Sequence, residues 1–462
     1  MSRSAGRQRH LDTRVRFRDI GQVLDERAVT TVFQPLVRLD TYETMGFEAL
    51  SRGPVGSPWY APSALFPAAQ AAGRLDELDW VCRVLAYQQA LRADLDPSIA
   101  LFVNTEPLAL RTECPPDLAP WLDVARRRLR VVTEMTERAV AADPSALLTA
   151  AATARSAGWG VAFDDVGANP ASLALMPFVH PDVVKLDMHL VHHPHRPEVA
   201  RVVNAVIAYA ERTGATILAE GIETPAHLAT ALSMGATVGQ GWLFGPAQRL
   251  RRPARPPREP LAFVAAPETA APASRTEART PFEIVAARRP TSHSTKRMLL
   301  PISKYLEAKA TDRTEPPVLL SCFQEGRHLT PATVRRYTGI ADTAALVAVL
   351  ATDVGEEPIP GVRGARLTAD DPLRGEWNVI VVGPHFTGAL VARDLGDGGP
   401  EMDRRFEYAL TYDRGLVLAA ARSLLHWVVR TDVVRTDQPP GRHRPPADAG
   451  NGRTATAARH SA

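Results

Sequence analysis

The chain has 462 residues, of which 54 are basic and 51 acidic, giving a net charge of +3; 45% are hydrophobic and 23% charged. That balance fits two or three globular domains, or one large barrel with a smaller module. It excludes collagen-like, coiled-coil and wholly disordered chains. A charge so near zero argues against a surface that wraps DNA, and no DNA binding is expected. Cys82, Cys114 and Cys322 form neither a disulfide framework nor a CxxC pattern, so the chain reads as cytoplasmic. Residues 1–10 lack the apolar core of a secretory signal, and no membrane span is expected.

Residues 1–16 read as a flexible start. From 17 to 248, short apolar runs alternate with amphipathic stretches. Strands are predicted at 32–37, 44–49, 99–103, 129–133, 160–163, 183–186, 216–219 and 237–238. Leu78, Val81, Cys82 and Leu85 share one helical face, as do Val199, Val202, Val203, Val206, Ile207 and Ala210. Thr224-Pro225 reads as an N-cap with proline at the first helical position, and Gly235 as the stop. Eight strands alternating with helices over about 230 residues suit a (β/α)8 TIM-like barrel. A doubly wound open sheet shows the same alternation. Residues 249–280 are rich in Pro, Arg and Ala and read as a linker. A smaller α/β domain is expected over 281–434, and a disordered tail over 435–462. Its predicted elements are a helix at 303–308, a strand at 318–323, two helices joined at Gly339 within 329–351, strands at 377–382 and 388–394, and a long helix over 404–429.

Polar side chains close nearly every strand of the first part. Glu48 ends the second and Asn104 the third; Glu134 ends the fourth, with Glu137 three residues on. Asp164 and Asp165 end the fifth, Lys185 and Asp187 flank the end of the sixth, Glu220 and Glu223 follow the seventh, and Gln240 the eighth. In a barrel these ends converge on one mouth. Crowded carboxylates repel unless a cation offsets them, and hard oxygen donors suit Mg²⁺, Mn²⁺ or Ca²⁺. The plainer alternative makes each acid a helix N-cap. Glutamate caps poorly, yet three of these ends are Glu; and Lys185 is the one lysine before Lys296, in a chain with four lysines.

These residues sit in strings that resemble the EAL-domain family of cyclic di-GMP phosphodiesterases: Phe47-Glu48-Ala49-Leu50-Ser51-Arg52, Gln34-Pro35, Val103-Asn104, Glu134-Met135-Thr136-Glu137, Asp164-Asp165-Val166-Gly167, Lys185-Leu186-Asp187, Ala219-Glu220-Gly221-Ile222-Glu223-Thr224 and Gln240-Gly241-Trp242-Leu243-Phe244-Gly245. The resemblance implies an EAL-type barrel that binds cyclic di-GMP and hydrolyses it to the linear dinucleotide pGpG, with two ions of Mg²⁺ or Mn²⁺ and inhibition by Ca²⁺. It implies that Glu48, Asn104, Glu134 and Asp164 ligate the first metal, and that Asp165 and Asp187 help to hold the second. Lys185 would orient the attacking water, and Glu220 would act as ligand or base partner, supported by Glu223. Gln34, Arg52 and Gln240 would contact guanine or phosphate, Glu137 would pin the loop after the fifth strand, and the barrel would form a homodimer.

Two departures stand out. The family's Asp-Phe-Gly-Thr-Gly loop reads Asp165-Val166-Gly167-Ala168-Asn169, and the serine expected after the third-strand Asn is Glu106. Asn169 is expected to keep the turn by tolerating left-handed backbone, while Ala168 loses a hydroxyl, which would lower turnover. The chain is therefore expected to be a phosphodiesterase, with a weak or inactive cyclic di-GMP receptor, or a protein-interaction scaffold, as alternatives.

His189, His192, His193 and His195 follow the sixth strand; imidazoles can bind Zn²⁺ or Ni²⁺, but the flanking prolines favour an exposed loop. The second domain resembles the DICT sensory domains in its layout, including Phe282-Glu283-Ile284 near its start. It shows no catalytic constellation, and an unknown ligand or protein partner is expected there.

Overall fold

The computed structural model describes residues 17–106, 109, 112–136, 143–169, 171–250, 255–264 and 279–428. Eight strands close into a barrel in chain order: β1 (Thr30–Arg38), β2 (Thr44–Arg52), β3 (Ala100–Asn104), β4 (Arg130–Thr136), β5 (Gly160–Val166), β6 (Val183–Leu186), β7 (Thr216–Ala219) and β8 (Val238–Gly239). Closure removes the open-sheet alternative. β1 runs antiparallel to both neighbours and every other pair is parallel. Only residues 39–43 join β1 to β2, too few for the crossover that a parallel pair needs.

The helices around the barrel are α1 (Ile20–Asp25), α2 (Pro62–Ala71), α3 (Leu75–Arg92), α4 (Ala119–Arg128), α5 (Pro144–Ser156), α6 (Ser172–Val179), α7 (Met188–His192), α8 (Pro197–Thr213) and α9 (Pro225–Ser233). α8 illustrates why they form: proline opens it, Gly214 ends it at φ +80°, and Val199, Val202, Ala205, Val206 and Tyr209 bury one stripe. Inside the barrel, Leu36, Met45, Phe102, Val132, Ala162, Val183 and Leu218 pack as one apolar layer. Leu261 joins that layer, from a segment read in the sequence as linker. Its carbonyl accepts from Arg130 at 2.5 Å, Asp182 accepts from Val264 N, and the Phe263 ring lies under the Arg130 guanidinium. Residues 255–264 therefore plug the N-terminal end of the strands.

The second domain is a seven-stranded sheet made of β9 (Ser292–Thr295), β10 (Val318–Glu325), β11 (Leu346–Thr352), β12 (Arg363–Arg366), β13 (Glu376–Val382), β14 (Thr387–Asp394) and β15 (Arg405–Thr411), in the order β12-β11-β10-β13-β14-β15-β9. Strand periodicity divides its faces. Leu320, Cys322, Ala348 and Ile380 pack with α10 (Pro281–Ala286) and α13 (Arg414–Leu425), whereas Leu319, Val349, Val379 and Leu390 pack with α11 (Lys296–Lys309) and α12 (Pro331–Ala341).

Three predicted elements differ here. The helix expected over 404–429 is β15 followed by α13; a spacing of four satisfies both periods, so Phe406 and Leu410 read as a helical stripe, while in the strand Phe406 is buried and Leu410 exposed. The second helix within 329–351 is the buried strand β11, whose apolar run Leu346 to Ala351 has no polar face. The short helix at 303–308 begins at Lys296, and Pro301 in its interior masked the first turns.

Among the described residues no helix is long and apolar enough to cross a membrane. The two domains meet where Arg422 of α13 donates to the carbonyls of Pro177 (2.6 Å) and Phe178 (3.3 Å) at the end of α6.

Candidate active site

Lys185, on β6, is fully buried in the barrel mouth. Its ammonium lies 2.7 Å from Glu134 Oε1, 2.8 Å from Glu220 Oε1, 2.9 Å from Asp164 Oδ1 and 3.8 Å from Glu48 Oε1. Four carboxylates thus share one lysine. Burial works against the Lys185 charge, but Asp164, Glu134, Glu220 and Glu48 together hold its ammonium well above the ordinary range. Burial also drives the Glu134 carboxyl well above its usual value and pushes Glu220 up to about 8, with Lys185 opposing both shifts. Lys185 moves up because four acids face it, whereas the two glutamates move up first because they are buried and then because other acids lie beside them.

Strand register builds this cluster. Asn104 lies opposite Glu134, Thr136 opposite Asp164, and Gln34 opposite Glu48. Asn104 Nδ2 donates to Glu134 Oε2 (3.0 Å) and Glu48 Oε1 (3.4 Å). Gln240 Nε2 donates to Glu48 Oε2 (2.5 Å) and Gln34 Oε1 (3.1 Å). Glu48 sits in the middle of β2 rather than at its end, because β2 runs on to Arg52. Arg52 donates to the Ser51 carbonyl.

Asp165 lies on the exposed side of the mouth with φ +57°, and its carboxylate can approach those of Asp164 and Glu220 within 4.8 Å. Asp187 caps α7 instead, accepting from His189 N at 2.7 Å. Glu223 lies with His192 and His227. Glu137 falls outside the described residues.

The loop after β5 keeps its turn by a different route from the one expected of Asn169. The left-handed positions are Asp165 and Gly167. Asn169 uses its side chain, which accepts from Ala171 N, and its carbonyl accepts from Ser172. Sequence reading also missed Asp79 and Arg83. Asp79, buried on α3, accepts from Glu106 N (2.9 Å) and pairs with Arg83 (2.6 Å), which anchors the loop after Asn104. The available signal was two opposite charges four residues apart inside the apolar stripe of α3.

The donor set fits a divalent cation. It is all oxygen, as Mg²⁺ and Mn²⁺ require, and it carries four buried or half-buried carboxylates around a single ammonium. Asn104 presents its amide nitrogen to these acids, so ligation through its oxygen would require the amide to turn over.

A closed barrel with acids, amides and one lysine at its mouth defines the architectural class. Comparison with known proteins then names the family. Residues 18–247 match the EAL domain, and residues 283–395 match the sensory domain in diguanylate cyclases and two-component systems, DICT. The chain is an EAL-domain protein in which a DICT domain follows the barrel. It is 28% identical over 230 residues to the probable cyclic di-GMP phosphodiesterase PdeB of Escherichia coli, covering 48% of this chain and 43% of that one. It is 27% identical over 237 residues to the cyclic di-GMP phosphodiesterase RocR of Pseudomonas aeruginosa, covering 49% and 59%. The chain thus spans about half the length of these curated relatives. Among solved structures, Klebsiella pneumoniae BlrP1 in complex with manganese and cyclic di-GMP aligns with 30% identity and a TM-score of 0.43, over 48% of this chain and 56% of that one.

Proposed function

We propose that the barrel hydrolyses cyclic di-GMP to pGpG with the help of divalent cations, and that the DICT domain regulates it. The observation that carries this reading is the convergence of Glu48, Glu134, Asp164 and Glu220 on Lys185. Glu48, Asn104, Glu134 and Asp164 would hold one ion; Asp165 and Glu220, whose carboxylates approach that of Asp164, would hold a second, with Asp187 after β6 as a further donor. A pair of bound Mg²⁺ or Mn²⁺ ions supplies Lewis acidity to the phosphodiester and to the attacking water.

The chain's own groups do the positioning. Lys185 holds Glu134, Asp164 and Glu220 in fixed relation and presents N–H donors to a water or phosphate oxygen. Gln240 orients Glu48 through its 2.5 Å hydrogen bond and, with Gln34, offers amide groups to a guanine edge. Arg52 provides a guanidinium for phosphate. Regulation is supported by the Arg422 contacts, because α6 follows directly on the Asp164-Asp165 loop.

A receptor reading has one observation in its favour: Ala168 offers no side-chain hydrogen bond in that loop. The test is incubation of the purified chain with cyclic di-GMP and Mg²⁺ or Mn²⁺, with products resolved by chromatography beside Glu48→Ala. Formation of pGpG that is lost in E48A, and inhibited by excess Ca²⁺, supports the phosphodiesterase. Tight binding without product selects the receptor, and neither binding nor product selects a scaffold.

A further inference from the structure

The histidines that read as an exposed loop divide into two groups. His189, His193 and His195 are exposed. His192, the last residue of α7, is half-buried and lies against His227 of α9, with ring centroids 4.3 Å apart and planes inclined by 30°. Glu223, in the turn after β7, completes the group: one ligand atom from each of His192, Glu223 and His227 lies within 4.8 Å of the others. No arginine or lysine pairs with Glu223 among the described residues.

The surrounding backbone holds these side chains. His192 Nε2 is 2.8 Å from the Gly221 carbonyl, which can only accept, so the imidazole donates from Nε2 and keeps its lone pair on Nδ1. Gly221 takes φ +66°, and a Cβ there would lie 2.5 Å from Met188 Cβ; the bare backbone is what lets α7 approach this closely. Thr224 caps α9 by accepting from His227 N. The Glu223 N–H reaches His227 Nδ1 only at 3.4 Å, too long to fix that ring's tautomer.

We propose that His192, Glu223 and His227 form a transition-metal site of the Zn²⁺ class, separate from the all-oxygen cluster around Lys185. Two imidazoles and one carboxylate suit Zn²⁺, Co²⁺ or Ni²⁺, whereas Mg²⁺ and Ca²⁺ favour oxygen alone. Tetrahedral bonds of about 2.0–2.2 Å place donors roughly 3.3–3.6 Å apart, so small side-chain rotations close the site. With three protein ligands, a fourth position stays open to water. The ion would tie α7, the turn after β7 and α9 together. Glu220, three residues before Glu223, contacts Lys185, so occupancy bears on the neighbouring cluster.

The test is metal binding by the full chain, prepared without a polyhistidine tag and with Mg²⁺ in excess. Zn²⁺ affinity is read by competition with a chromophoric chelator, and Co²⁺ by its visible absorption. The expected result is one tight equivalent and an intense, tetrahedral-type Co²⁺ band. His227→Gln and His192→Gln should each weaken binding on the order of 100-fold and abolish the band. His189→Gln/His193→Gln and Asp164→Asn should leave both unchanged. Circular dichroism of each variant separates loss of the site from loss of fold. Absence of a tight equivalent in the parent chain, binding that survives H192Q/H227Q, or binding that disappears in H189Q/H193Q or D164N would overturn the proposal.

Discussion

Lys185→Met is the sharpest test of how the barrel mouth is held together. The substitution keeps an unbranched side chain one atom shorter and removes its charge. At an effective dielectric of 20, a unit pair 2.8 Å apart is worth about 6 kcal/mol, and three carboxylate oxygens stand within 2.7–2.9 Å of the ammonium. Repulsion among those acids and the cost of burying the ammonium cancel most of that attraction. Breaking a buried pair typically costs about 3–5 kcal/mol, and K185M should lose that much stability in chelator-treated protein. Urea unfolding with hydrogen exchange read on β4, β5 and β6 peptides reports the barrel apart from the second domain. Added Mn²⁺ should recover more stability in K185M than in the parent chain, since one more negative charge goes unopposed; at one hundred times the dissociation constant, binding contributes about 2.7 kcal/mol. A K185M barrel within about 0.5 kcal/mol of the parent in chelator, a difference ordinary for surface substitutions, would refute the reasoning.

Other perturbations probe the parts around this cluster. Arg422→Ala removes two charge-assisted hydrogen bonds to the end of α6 and should weaken the domain contact by roughly 2–3 kcal/mol, seen as faster exchange over residues 172–180; unchanged exchange would contradict it. His180, the left-handed residue that ends α6, is held neutral, its pKa lowered to about 4 by burial and then by Arg422 and Arg155. The unfolded chain takes up this proton first, so stability from His180 is full above about 6.5 and declines as pH falls toward 4. His180→Asn should flatten the urea midpoint over that window, and an identical slope in both proteins would rule the group out. Leu261→Ala should cost about 2–4 kcal/mol if the 255–264 segment plugs the barrel floor, and calorimetry decides this. Gly167→Ala places a Cβ 2.6 Å from Leu190 at φ +104°; it should lower turnover with a loss of at least about 1 kcal/mol, and full activity would show that the loop tolerates strain.

What could be read from the chain, and what could not, follows from which atoms carry the interaction. The eight barrel strands show in the sequence because they are short apolar runs, most of them with a polar residue at or near the end, and the acids that meet at Lys185 declare themselves by type and position. Their meeting depends on closure, which brings the C-terminal halves of the parallel strands β2–β8 to one rim. The contacts that escape sequence reading are of another kind. Arg422 binds the carbonyls of Pro177 and Phe178, and every residue owns a carbonyl, so nothing in those two side chains marks them as acceptors. The same holds for Gly221, whose carbonyl orients His192. His227 lies 35 positions from His192, on a helix whose pattern announces only a cap and a glycine stop; the pairing exists because the missing Cβ of Gly221 lets α7 come close. Leu261 reads as part of a proline-rich linker until the barrel floor supplies an apolar hole of its size. The cluster at the barrel mouth is therefore written in side-chain identity, whereas the joints between α6 and α13 and between α7 and α9 are written in backbone geometry, which exists only once the chain has folded.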